Sequence, residues 1–174
     1  VPVLLSGDGA DEFFGGYETY GATRLAHRVQ GLVPAAFSRG AGRFLLNSSS
    51  DRRLAAREKL GRFLLGIAYA RGSPHPQWRR HLYPHTLARI AGPALSGLVA
   101  NADPLEEYAA AFQAASGATV DRALMADQSY YLPGDLLVKT DAMSMAHGVE
   151  IRVPFLDRRI MEFAGRLHAD LLTP

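Results

Sequence analysis

Three carboxylates sit in and just after a glycine turn at the start of this chain. Residues 1–17 read VPVLLSGDGADEFFGGY, with Asp8 between Gly7 and Gly9 and with Asp11 and Glu12 just beyond. Backbone N–H groups at a helix start attract phosphate, whereas clustered acids repel it. A divalent cation reconciles the two, because Mg²⁺ accepts carboxylate and phosphate oxygens together. The same residues also have a purely structural use. Acids in a first helical turn are favoured by the helix dipole alone, and Asp8 is a competent N-cap.

A second dense stretch, 127–166, reads DQSYYLPGDLLVKTDAMSMAHGVEIRVPFLDRRIMEFAGR. Asp135 and Lys139 stand four apart, the spacing of an ion pair on one helical turn, and Asp141 follows. Glu150 and Arg152 alternate with Val149, Ile151 and Val153, so this piece is predicted to be extended, with its charges paired. For Glu150 and Arg152 an ion-paired scaffold outweighs a catalytic role, since most such pairs are structural. His75, His81 and His85 flank prolines without a common helical face. They are read as surface or structural residues rather than metal ligands.

The elements that must position these residues follow from local pattern. Val3–Leu5 is an apolar run suited to a strand of a parallel sheet, buried on both faces. Ser6-Gly7-Asp8-Gly9 turns the chain, and 10–14 make one or two helical turns stopped by Gly15-Gly16. Helices are expected at 18–30, at 34–46, and along Leu54, Leu60, Leu64 and Ile67. An Asn-Ser-Ser-Ser-Asp loop before the last of these offers Asp51 or a neighbouring Ser as a cap. Further helices are expected at 84–90, 94–100 and 103–115, the last capped by Asp103 with Pro104 behind it. Residues 119–131 form the next, with Leu124, Gln128 and Tyr131 along one side. Pro133-Gly134 ends it, which sets Asp135 at a new helix start, facing one cleft with Asp8. A final amphipathic helix, 158–167, turns Ile160, Phe163 and Ala164 inward. The fold is thus expected to be mostly helical, with one strand at Val3–Leu5 and an extended piece near Ile151. An unpartnered Val3–Leu5 would be an open edge, able to pair with a second copy in a homodimer.

Composition narrows the classes. The chain has 174 residues, 48 % hydrophobic and 21 % charged, enough for a real core and too apolar for a disordered chain. Cysteine is absent, which excludes disulfides and thiolate chemistry. No apolar run is long enough to cross a bilayer. All but Lys59 and Lys139 of the 19 basic residues are Arg, and net charge is only +2. The Arg pairs 52–53, 79–80 and 158–159 are isolated, with no basic tract for nucleic acid.

SGDGADEFFGGY and YLPGDLLVKTDAMSMAHGVEIRVPFLD, taken together and in this order, resemble the synthetase domain of glutamine-dependent asparagine synthetases. β-Lactam synthetases and lasso-peptide cyclases share that domain. The resemblance implies an α/β ATP-pyrophosphatase domain (adenine nucleotide alpha hydrolase-like), of which this chain is a mostly α-helical piece with one short parallel-type strand. It implies ATP and Mg²⁺ as cofactors. It also implies adenylation of the aspartate carboxylate, followed by displacement of AMP by glutamine-derived ammonia. On matching positions it assigns Ser6, Gly7 and Gly9 to the nucleotide, Asp8 and Asp135 to the acyl centre, and Asp11 to Mg²⁺ on the pyrophosphate. The family's Ser-Gly-Gly-x-Asp-Ser loop, its later transition-state Lys and its glutaminase domain have no counterpart in the sequence. Residues 1–174 are therefore expected to be a single-domain internal piece of a cytoplasmic enzyme, inactive alone. Its partners are expected to be aspartate or a related carboxylate and the glutaminase domain, with no nucleic acid and no membrane. The reading from another class is a non-catalytic helical domain that binds an acidic partner through Arg, told apart by a steep salt dependence.

Overall fold

Three apolar residues followed by Ser-Gly-Asp-Gly make a strand that stops at once, and most of the described residues that follow are helical. A computed structural model describes residues 2–47, 55–70, 73–101 and 103–172. In chain order the elements are β1 (Val3–Leu5), α1 (Ala10–Phe14), α2 (Glu18–Val29), α3 (Ala35–Asn47) and α4 (Ala55–Tyr69). Then come α5 (His75–Trp78), α6 (Pro84–Ile90), α7 (Pro93–Asn101), α8 (Glu106–Ala114) and α9 (Thr119–Ala126). A π-helical segment, Asp127–Leu137, leads into α10 (Val138–Met145) and β2 (Glu150–Arg152). A 3₁₀ turn, Pro154–Leu156, α11 (Arg158–Ala164) and α12 (Ala169–Leu172) complete it. The expected cap Asp51 and the helix-face residue Leu54 lie outside the described residues, as does the side chain of His85. Among the described residues no helix is long and apolar enough to cross a membrane.

The chain divides into two compact units, one of residues 1–25 and 111–174 and the other of 26–110. In the first, β1 and β2 pair in parallel with Val3 opposite Glu150, Leu4 opposite Ile151 and Leu5 opposite Arg152. The extended piece near Ile151 is therefore a strand, and it supplies an edge partner to β1 from within the chain. Burial of β1 on both faces is not observed: Leu4 is 56 % and Leu5 75 % exposed. A parallel strand is buried on both faces only when helices cover both. Here α10 packs on β2, and β1 stays open. Glu150 and Arg152 do pair, with Arg152 Nε donating to Glu150 Oε1 at 2.9 Å, but the pair faces solvent, where it adds little stability.

The largest departure lies at Pro133-Gly134. These residues do not end the helix. Helical backbone runs unbroken from Thr119 through the π segment to Met145, with Pro133 inside it. In an α-helix the proline ring collides with the carbonyl four residues back, and its missing N–H breaks the ladder. The wider π turn bonds five residues back, which moves that carbonyl away from the ring. Asp135 is consequently mid-helix rather than at a helix start. It makes no ion pair with Lys139 among the described residues. Lys139 is exposed, and an exposed pair holds together weakly.

The core of this unit is Tyr20, Phe112, Val120, Ala123, Leu124, Ala126 and Leu132, with Ala164 and Ala169. Of the residues expected to turn inward on α11, Ala164 is buried but Phe163 is 59 % exposed. The helix has only seven residues, too few for a wide buried stripe.

In the second unit α3 packs on α4 through glycines. A Cβ on Gly42 would meet Leu65 Cγ at 2.8 Å and the Gly61 carbonyl at 3.0 Å, so only glycine permits this approach. Leu65 and Ile67 are buried there, whereas Leu60 is exposed. The glycines, not the leucine spacing, decide the face. Trp78 stacks on Phe63 with ring centres 5.9 Å apart and donates from Nε1 to the Arg62 carbonyl. His75 is fully buried, edge-on to Trp78 and Tyr108, and His81 is exposed, which agrees with a structural or surface reading. Asp103 accepts from Leu105 N and from Arg80 NH2 at 2.6 Å. Asp103 thus accepts from the helix start as expected, and regular α-helix begins at Glu106, two residues past the expected first position, Pro104.

Candidate active site

The turn after β1 is built by hydrogen bonds that continue the strand and then close it. Ser6 N donates to the Arg152 carbonyl, one step beyond the ladder, and Ala10 N donates to Gly7 O. Asp8 N–H points to Ser6 Oγ at 3.4 Å. Gly9 has φ 88°, a left-handed value, and a Cβ there would meet Leu156 Cδ2 at 2.8 Å. The left-handed turn favours glycine at this position, and the nearby Leu156 methyl adds crowding. Gly7 differs: nothing lies within 4 Å of where a Cβ would be, and the residue is exposed. Its backbone faces open space. Gly9 rather than Asp8 occupies the N-cap of α1, with no side-chain cap.

The Asp8 carboxylate goes elsewhere. Thr140 Oγ1, from α10, donates to Asp8 Oδ2 at 2.9 Å. Oδ1 has no hydrogen-bond partner among the described residues. The structure thus brings to Asp8 a residue that carried no signal in the sequence beyond its place beside Asp141. Asp135 lies half-buried on the same continuous helix as Thr140, and its side chain makes no hydrogen bond among the described residues. Among the described residues, the hydrogen bond to the Asp8 carboxylate comes from Thr140, and Asp135 makes none. Asp141 and Lys139 are exposed.

Asp11 is exposed at the start of α1. Its carboxylate folds back over Gly16, where a Cβ would strike Oδ1. Gly16 therefore keeps room for that carboxylate. Among the described residues no three His, Cys, Asp or Glu side chains converge to hold a metal ion. An all-protein cage is not needed for Mg²⁺, which ordinarily takes one or two carboxylates plus substrate phosphates and waters. A single exposed carboxylate on α1, with no hydrogen-bond partner among the described residues, fits that pattern.

Glu12 is different from its neighbours. It is 1 % exposed, accepts the Tyr17 hydroxyl at Oε1 at 2.7 Å, and through its carbonyl accepts Gln128 Nε2 at 2.9 Å. Beside it Tyr20 donates to Asp127 Oδ2 at 2.7 Å, both ends fully buried. Tyr131 meets Tyr17 edge-on. The expected Leu124–Gln128–Tyr131 side of the long helix is thus the side that grips α1 and the start of α2. This network fixes the helix that follows the Asp8 turn.

Burial, and then the hydrogen bond and charge of Glu12, push the Tyr17 phenol above its ordinary value. The sign follows directly. The unfolded chain ionises this phenol near pH 10 and the folded chain keeps it neutral, so its contribution is whole below that pH and is lost as pH rises further. Urea midpoints are expected to fall between pH 9 and 11, roughly across the free tyrosine value. Tyr17→Phe is expected to flatten that decline while lowering the midpoint at neutral pH. An unchanged alkaline slope in Tyr17→Phe would assign the decline to other groups.

Several arginines of this unit pair within the chain. Arg24 pairs with Asp170 and Arg158 with Glu162. The Arg159 guanidinium, hydrogen-bonded to the capping Asp157, holds that carboxyl down to about 2.

Comparison with known proteins adds a separate line. A family model described as Asparagine synthase matches residues 1–173. The chain is 27 % identical over 183 residues to asparagine synthetase (glutamine-hydrolyzing) 1 of Bacillus subtilis, covering 99 % of this chain and 26 % of that protein. It is 32 % identical over 178 residues to a protein of Mycobacterium bovis provisionally named as a glutamine-hydrolyzing asparagine synthetase, covering 97 % of this chain and 24 % of the relative. A Mycobacterium tuberculosis protein of the same provisional name matches equally. The chain spans about a quarter of the length of these curated relatives. No solved structure matches it.

Proposed function

This chain belongs to the asparagine synthase family, and from that premise we propose that it forms part of the synthetase domain of an ATP-dependent, glutamine-using asparagine synthetase. In the proposed reaction an oxygen of the aspartate side-chain carboxylate attacks the α-phosphorus of ATP. The bond to the β-phosphate breaks, and β-aspartyl-AMP and pyrophosphate result. Ammonia from a glutaminase domain then adds to the acyl carbon, the bond to AMP breaks, and asparagine forms as the ammonia nitrogen gives up a proton. Asp8 Oδ1 is the proposed acceptor of that proton, with Asp135 as the second acid of the centre. Ser6, Gly7 and Gly9 are the proposed nucleotide contacts, through the Ser6 hydroxyl and the open backbone at Gly7. Asp11 would hold Mg²⁺ with the pyrophosphate, and the ion when bound neutralises phosphate charge. The proposed setting is the cytoplasm.

One observation carries the reading. Asp8 stands in the turn just past the carboxyl end of a parallel strand, tied by one oxygen and open at the other. Parallel α/β sheets bind their ligands beyond the carboxyl ends of the strands, and a carboxylate free at one oxygen is suited to take a proton.

The test uses the intact protein with ATP, Mg²⁺, aspartate and ammonium. AMP, pyrophosphate and asparagine are expected in equal amounts. Formation of ADP and phosphate, or pyrophosphate release that ignores aspartate, would overturn the reading. AMP and pyrophosphate formed only with a different carboxylate would move it to the β-lactam or lasso-peptide relatives.

A further inference from the structure

We propose that Thr140 is a positioning residue that decides which oxygen of Asp8 does the chemistry. This rests on the reading of Asp8 as proton acceptor, and goes beyond it by naming the group that aims the acid. The contact is a hydrogen bond from Thr140 Oγ1 to Asp8 Oδ2 at 2.9 Å, joining residues 132 positions apart. It leaves the two carboxylate oxygens unequal, since Oδ1 has no partner among the described residues.

Three other helical hydroxyls show how this contact differs from back-bonding to the helix. Threonine and serine within helices ordinarily bond back to a carbonyl three or four residues earlier. Thr23 does so to Thr19 O, Ser129 to Met125 O and Ser144 to Asp141 O. Thr140 instead turns its hydroxyl away from its own helix to Asp8. Its β-branch leaves two favoured χ1 wells in a helix, and the one observed aims the donor at Asp8. Asp8, by contrast, sits on a turn flanked by two glycines, where the backbone alone would leave its carboxyl free to rotate. Both residues are half-buried, and a hydrogen bond to a carboxylate is stronger and more directional than one between neutral groups. The flanking Lys139 and Asp141 are exposed and make no hydrogen bond to Asp8.

The experiment compares Thr140→Val, which keeps the shape and removes the donor, with Thr140→Ser, which keeps the donor, both in the intact protein. Thr140→Val is expected to lower kcat for ammonia-dependent asparagine formation about ten- to a hundredfold, the worth of one hydrogen bond to a charged group. KM for ATP and aspartate should change by less than about twofold, as for an interaction made in the transition state. Thr140→Ser is expected to keep most of kcat. Wild-type kcat in Thr140→Val overturns the proposal, and so does a Thr140→Ser loss equal to that of Thr140→Val. Should Thr140→Val not fold, Thr140→Ala against Thr140→Ser makes the same comparison. Asp8→Asn run alongside separates the two claims. If it retains wild-type kcat, the reading of Asp8 falls and takes this inference with it. If it is inactive while Thr140→Val is not, this inference alone falls.

Discussion

Asp8→Asn in the intact protein is expected to cut ammonia-dependent asparagine formation about 10²–10⁴-fold, the usual contribution of a positioned general base. The substitution is chosen because it disturbs little else. Asparagine keeps a carbonyl oxygen that can accept from Thr140 Oγ1, so the tether observed at 2.9 Å survives. Gly9 still supplies the left-handed turn and the close approach to Leu156. What is lost is the second oxygen's capacity to take a proton from the incoming amine. The two half-reactions should therefore separate: pyrophosphate release from ATP and aspartate should fall far less than amide formation, with β-aspartyl-AMP accumulating in a rapid-quench measurement. An equal loss in both half-reactions would move Asp8 from proton acceptor to nucleotide or Mg²⁺ binding. No loss in either would remove it from the site.

The second large effect is on stability. Tyr20→Phe is expected to destabilise the fold by about 1.5–3 kcal/mol, the range for a hydrogen bond to a charged group. At about 2 kcal/mol, Tm should drop by roughly 4–8 °C for a chain of this size. Phenylalanine keeps the ring and opens no sizeable cavity, so the change isolates the hydroxyl. Its partner Asp127 is fully buried and loses a 2.7 Å donor. A buried acceptor left short of a partner is costlier than the same loss in water. A double-mutant cycle with Asp127→Ala should give a coupling of about 0.5–3 kcal/mol. As a contrast, breaking the exposed Arg158–Glu162 pair should change stability by less than about 1 kcal/mol. Tyr20→Phe with wild-type Tm would mean that the buried bond is matched by solvation in the unfolded chain.

The two blocks that resemble asparagine synthetases were legible because they are local. A short apolar run, a glycine turn and acids at a helix start are patterns within a dozen residues, and the strand, turn and α1 appear where those patterns put them. Gly15, at φ 71° as the C-cap of α1, is another such signal. The helix boundaries of 18–30 and 84–90 follow for the same reason. Where the signal was local but ambiguous, the structure chose. Pro133-Gly134 reads as a stop in any α-helix, yet a π turn accommodates it, and that choice depends on the packing of Gln128 and Tyr131 against the segment around Glu12 and Tyr17. Likewise, apolar spacing on α4 pointed to Leu60, but helix approach through Gly42 and Gly61 buried Leu65 instead.

The sequence by itself determined the strand–turn–helix corner, the helical content and the two acidic stretches, because each follows from backbone preference and side-chain period over a few residues. Tertiary structure alone decided the partners of the polar groups. Thr140 meets Asp8 across 132 positions, Gln128 meets Glu12 across 116 and Tyr20 meets Asp127 across 107. A hydroxyl, an amide or a carboxylate has the same local preferences whichever partner it finds. Only the packing of the long helix against α1 and the starts of α2 and β2 selects which donor reaches which acceptor, and so which oxygen of Asp8 is left free.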